Sequence, residues 1–292
     1  MTTEDVQILL IGILTGALYG IAALGLSLVF GVLKVLNVAH GELVILGGYA
    51  SWWLYNKQGV DPYVSLLLVI PLLFTVGVVL YFVLFAHVVR SDEEHRIKNS
   101  LLIGFGLSLI AQTLATHYFT GDPRAIPYSS ESWRFFGLVL PLVRASNLFI
   151  GIIIVISLQF FMNRTYIGKA IRATAEDWQT ASLTGINIRN MYLITFSLGA
   201  ALAGLSGMLL AVQQSLTPTT GLRWTLNSLI VVVLAGLGSI PGTFIAGMLL
   251  GLAEASSTLI FDTSQYREMA GLVIFVVILS VRSQGLFGEQ HA

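Results

Sequence analysis

The chain contains no cysteine. Disulfides, thiolate chemistry and Cys-ligated metals are thereby excluded, and the redox compartment is left undetermined. Charge is nearly as scarce, at 10% of 292 residues against about 25% in soluble domains. The 15 basic and 15 acidic residues cancel, so no polybasic surface for nucleic acid or anionic lipid is expected. There is no GxxxxGK[ST] phosphate loop, so the chain cannot bind ATP by that mechanism. The first residues carry Glu4 and Asp5 but no basic group, which argues against a cleaved signal peptide and for a retained first span.

What the chain has is hydrocarbon. It is 55% hydrophobic, with a mean hydropathy of +0.84, and this marks a multi-pass membrane protein. A helix needs about 20 apolar residues to cross a bilayer. That length fits Val6–Phe30, roughly Gly41–Tyr55, Tyr63–Ala86, Ser100–Phe119, Asn147–Met162, Met191–Val212, a compound region Leu226–Phe261, and Ala270–Val281. The expected fold is all-α and polytopic, one bundle over residues 1–292 with about eight passages and no internal repeat.

With the N-terminus outside, nine Lys and Arg fall in inner segments and six in outer ones, the sign that cytoplasmic loops prefer. This places Asn163–Asn190 in the cytoplasm. Trp52, Trp53, Tyr55 and Tyr63 then lie outside and read as an interface belt. Gly12, Gly16 and Gly20 recur every four residues, as do Gly199, Ala203 and Gly207, while Gly247 and Gly251 add a third stripe. Small residues at this spacing let helices approach closely, and packing within one bundle is the favoured reading over a pore lining or dimer face.

Three stretches stand apart. Lys34–Gly48 brings Asn37, His40 and Glu42 to the start of a span, where ionisable groups need protein or water around them. HExxH spacing is absent, so neither a catalytic nor a metal site is expected; the side chains satisfy irregular backbone and are candidates to touch solute. Leu226–Glu254 contains Gly236-Leu237-Gly238-Ser239-Ile240-Pro241-Gly242. That run cannot continue a helix, and a broken or re-entrant helix follows. Asn227, Ser228, Ser239 and Glu254 are its candidate path residues, with Glu254 favoured as an interior acid bonded to a neighbouring helix. In Asn163–Asn190, Thr174 and Asp177 have capping-box spacing, so a short helix is expected from about Ala175 to Thr184. Glu176 and Asp177 would lie in its first turn and Gly185 would end it, with Ile171, Trp178 and Ser182 or Leu183 on one side. An amphipathic loop lying on the membrane surface is the alternative.

These residues resemble a family. Asn37-Val38-Ala39-His40-Gly41-Glu42 with Gly47-Gly48-Tyr49 is similar to a block in the smaller, LivH-type permeases of branched-chain amino acid ABC importers. Gly168-Lys169-Ala170-Ile171-Arg172-Ala173 with Ala175-Glu176-Asp177, Ala181-Ser182-Leu183 and Gly185-Ile186-Asn187 resembles that family's cytoplasmic loop. Leu237-Gly238-Ser239-Ile240-Pro241-Gly242 with Gly247, Gly251, Leu252 and Glu254 resembles its C-terminal block. The likeness keeps order and separation over nearly the whole chain.

The resemblance implies a permease in a prokaryotic inner membrane, without cofactor and not itself an enzyme. Its partners would be a second homologous permease, two cytoplasmic ATPases and a periplasmic solute-binding protein. Arg172, Thr174, Glu176, Asp177, Trp178, Leu183 and Gly185 would belong to the segment that couples to the ATPase. Two stretches depart from the family pattern: Val88–His95 is more acidic, and Trp224-Thr225-Leu226-Asn227-Ser228-Leu229 replaces a Lys-Ala-Phe-like run. Urea and amides therefore stand beside branched-chain amino acids as expected solutes. The alternative function is a stand-alone secondary carrier or channel, which would need more deep ionisable residues than Glu42 and Glu254.

Overall fold

In the computed structural model, the described residues are 2–128, 131–135, 137–236, 238–261, 263, 265–282 and 284–288. Leu237, inside the expected break, lies outside them. The helices are α1 (Thr3–Leu33), α2 (His40–Gln58), α3 (Pro62–Leu80), α4 (Ala86–Val88), α5 (Glu93–Phe119), α6 (Leu142–Arg164), α7 (Tyr166–Glu176), α8 (Trp178–Leu183), α9 (Ile188–Gln213), α10 (Gly221–Ala235), α11 (Ile240–Phe261) and α12 (Arg267–Val281). A π-turn, Tyr81–Phe85, joins α3 to α4. An antiparallel hairpin of β1 (Ser132–Phe135) and β2 (Leu138–Pro141) precedes α6.

Six of the expected passages are long and apolar enough to cross a membrane: α1, α3 with its continuation to Val88, α5, α6, α9 and α11. The chain is thus an all-α multi-pass membrane protein. The stretches that become α2 and α12 do not join those six, among the described residues. Helices α1 and α9 form the centre, mostly buried, while α3, α5 and α6 turn side chains such as Leu67, Leu102 and Phe149 outward. With no water to hide from in hydrocarbon, packing and not burial from solvent has to hold such helices together.

The glycine stripes supply that packing. A Cβ on Gly12 would come within 2.7 Å of Gly251 O, and one on Gly16 within 2.5 Å of Gly247 O. A Cβ on Gly20 would lie 2.8 Å from Phe244 O. The first and third stripes therefore face each other across α1 and α11. The second meets α1 and α2, because Gly199 abuts Gly25 and Gly207 abuts Val44.

The helix break falls where glycine and proline place it. Helix α10 ends at Ala235, Gly236 takes φ +90°, and α11 starts at Ile240 with Pro241 in its first turn, where a missing N–H leaves no bond unmade. Gly238 rests near Gly31, close to the end of α1, so this break sits at one end of the bundle. The irregular backbone at depth lies elsewhere. Residues 34–39 turn back along α1, so that His40 meets Ala22 O. Ala22 precedes the end of α1 at Leu33 by eleven residues, about 16 Å at 1.5 Å per residue. That depth is near the middle of a hydrocarbon layer about 30 Å thick.

Candidate functional site at the meeting of two helix starts

Helix α2 begins deep in the bundle, and α10 begins beside it. Backbone at that depth needs internal partners, and these residues provide them. The Asn37 side chain accepts from Ala39 N at 3.1 Å. Thr225 Oγ1 accepts from Gly41 N and donates to Val38 O, both at 2.8 Å. His40 Nε2 lies 2.8 Å from Ala22 O; a carbonyl only accepts, so Nε2 carries the proton. Asn37 and His40 thus hold the turn in place.

Glu42 sits in the first turn of α2, buried, and accepts from Ser108 Oγ of α5 at 3.0 Å. Its carboxyl carbon would be 2.3 Å from a Cβ on Gly221. Only a residue without a side chain lets the start of α10 come so close. One turn on, Trp224 meets Tyr19 edge to face at 5.5 Å, and Tyr19 Oη donates to Glu254 Oε2 at 3.1 Å. The first turn of α10 therefore lies between Glu42 and the Tyr19–Glu254 pair. Glu254 is an interior acid bonded to a neighbouring helix.

Asn227 and Ser228 follow on the same helix. Ser228 is buried with its Oγ unpartnered among the described residues, and Asn227 is half-buried. Ser239 is not part of this group. It accepts from Gly242 N at 3.2 Å and caps α11 at the end of the bundle. Ser108 and Tyr19 escaped the sequence reading, which named Thr225 and Trp224 only within the run that departs from the family pattern. A serine within the apolar run Leu101–Ile110 was a visible signal for the first; partners far apart in the chain hid the other.

The polar segment 163–190 folds as two helices rather than one. Thr165 caps α7 by accepting from Gly168 N at 3.0 Å. Thr174 is no cap. It is buried inside α7 and donates to Ala170 O at 2.8 Å, because α7 has already started at Tyr166 and the hydroxyl bonds back one turn. Glu176 ends α7 instead of opening the next helix, and Arg172 is exposed on α7. Asp177 is the cap of α8, accepting from Gln179 N at 2.9 Å, from Thr180 N at 3.2 Å and from Thr180 Oγ1. The Thr180 hydroxyl foremost, then these amides, hold its carboxyl below the usual carboxylate range.

Gly185 follows α8 at φ +87°, as expected of a left-handed residue that ends a helix. The split changes which side chains share a face. Ile171 is fully buried on α7, whereas Trp178 and Leu183 on α8 are 46% and 87% exposed. Gly168 lets α7 lie on the end of α6, since a Cβ there would be 2.2 Å from Phe161 O.

Residues 8–281 match the family described as Branched-chain amino acid transport system / permease component. The chain is 28% identical to the high-affinity branched-chain amino acid transport system permease protein BraD of Pseudomonas aeruginosa, over 97% of this chain and 95% of that one. It is 28% identical to the LivH permease of Escherichia coli over 95% and 94% of the two chains. The ribose import permease RbsC of the same bacterium is 26% identical over 60% of this chain and 57% of its own. No solved structure matches the chain. A match that runs from within α1 to the end of α12 leaves no passage outside it, and the chain belongs to the branched-chain amino acid transport permease family.

Proposed function

We propose that the chain is one permease subunit of an ATP-driven importer in a prokaryotic inner membrane, carrying branched-chain amino acids or similarly small polar organic solutes. It works with a second homologous permease, two cytoplasmic ATPases and a periplasmic solute-binding protein, and hydrolyses no ATP itself. The whole chain acts as one permease domain with residues 163–190 as its coupling segment. The observation that carries this reading is α8. It is a capped helix of six residues that leaves Trp178 and Leu183 exposed. An exposed apolar pair on a fixed short helix suits a groove on another protein.

Closure of the ATPases on ATP would push α8. Because α7 is seated on the end of α6 and α9 follows directly, both long helices would move with it as rigid bodies. They would alternate access to a path between the two permeases. Glu42, Asn227 and Ser228 supply polar groups to that path, while Asn37 and His40 hold the backbone around it.

Reconstitution into vesicles tests the reading. Uptake of radiolabelled leucine is expected only when the ATPases, ATP and the binding protein are present. Uptake by this chain alone, driven by an ion gradient, would establish a secondary carrier instead.

A further inference from the structure

The segment that carries α8 borders a cleft of about 890 Å³, in the range of small-molecule sites. Lys34 from the end of α1, Arg90 and Asp92 from the α4–α5 turn, Arg96 from the first turn of α5, and Glu176 and Trp178 from the α7–α8 junction line it. Arg96 is the unusual member. It is buried, donates to Leu33 O at 3.1 Å and Ser91 O at 3.2 Å, and lies 5.9 Å over the Tyr192 ring. Its Nε has no partner among the described residues. Both hydrogen-bonded acceptors are neutral carbonyls.

A buried guanidinium held only by neutral groups has an electrostatic deficit that an anion fills, and a planar carboxylate matches its fork. Lys34 and Arg90 add positive potential to the same cleft, while Asp92 and Glu176 offer acceptors for an ammonium group. Cations and acids in one lining fit a zwitterion better than a simple anion. The walls also belong to two parts of the molecule, the α1–α5 side and the α7–α8 junction. A ligand touching both ties α8 to the bundle.

We infer that this cleft binds a small amino acid, its carboxylate on Arg96, and that occupancy slows transport by holding α8 in place. The inference rests on the importer reading, in which α8 has to move and the cleft faces the compartment that receives the solute.

The test uses the permease–ATPase complex in vesicles, with L-leucine, 4-methylpentanoate or isopentylamine added on the ATPase side. Leucine is expected to lower ATP-driven uptake several-fold, 4-methylpentanoate to do so less, and isopentylamine not at all. Arg96→Gln is expected to raise the leucine concentration needed by about tenfold, the scale of one lost charge-assisted bond, and Arg90→Gln, which removes an exposed positive charge, by about two- to fivefold. If Arg96→Gln fails to assemble, since it also releases two carbonyls, the exposed Arg90→Gln decides. Uptake that needs the ATPases but ignores leucine on their side overturns the site and leaves the importer reading intact. Equal potency of isopentylamine, or an unchanged leucine response in Arg90→Gln, overturns it as well. Uptake without ATPases overturns the importer reading, and the braking role falls with it.

Discussion

Thr225 Oγ1 joins two helix starts at once, accepting from Gly41 N at the head of α2 and donating to Val38 O before it. A single hydroxyl on α10 thereby satisfies one backbone donor and one backbone acceptor of a turn held at depth in the bundle. Thr225→Val keeps the shape and removes the hydroxyl. It should leave a buried donor and acceptor unpaired at about 1–3 kcal/mol each. A thermal unfolding midpoint several degrees lower in detergent is the expected result, and Thr225→Ser should restore most of it.

Packing of α1 on α11 leaves no room for a methyl at Gly16, where a Cβ would lie 2.5 Å from Gly247 O and 2.7 Å from Met248 Cα. Both obstacles are backbone and cannot rotate away. Gly16→Ala should cost about 1–3 kcal/mol by overpacking, seen as lower yield and lower thermal stability of the purified permease. Gly106→Ala, with open space at its Cβ, is the control and should be nearly neutral.

The polar groups of α10 should separate solute contact from packing. Asn227 is half-buried on α10, nearly two turns beyond Gly221, which abuts Glu42. Asn227→Leu is expected to change how leucine, urea and amides compete for uptake. An unchanged competition profile would put Asn227 in helix packing.

The cap of α8 carries a pH dependence. Asp177 has a carboxyl pKa depressed in the folded protein, chiefly by the Thr180 hydroxyl. Its contribution is therefore complete above the unfolded value of about 4 and is lost as pH falls through the lower folded value. Hydrogen exchange at the Gln179 and Thr180 amides should be slow at neutral pH and accelerate in Asp177→Ala. Equal rates in both proteins would remove the cap from the account.

Much of this was legible in the chain, and the failures have physical causes. The Gly236–Gly242 run marked the helix break because glycine and proline act on the backbone locally. The glycine stripes marked close packing for the same reason. Thr174 was misread because a hydroxyl three residues before an acid looks alike at a helix start and in a helix interior. What distinguishes the two is the competing cap at Thr165, which fixed where α7 begins. The surroundings of Glu42 were hidden because Ser108 and Gly221 reach it from distant parts of the chain. No local pattern encodes which helices bring them there.

The central claim is that α8 transmits force from an ATPase, and Trp178 and Leu183 test it most directly. The double substitution Trp178→Ser with Leu183→Ser removes exposed apolar surface without touching the buried residues of α7. ATP hydrolysis and leucine uptake should be measured together in vesicles containing the assembled importer. The account predicts that uptake per ATP hydrolysed falls at least tenfold while the permease remains folded. Unchanged uptake and unchanged stoichiometry in that variant would contradict it.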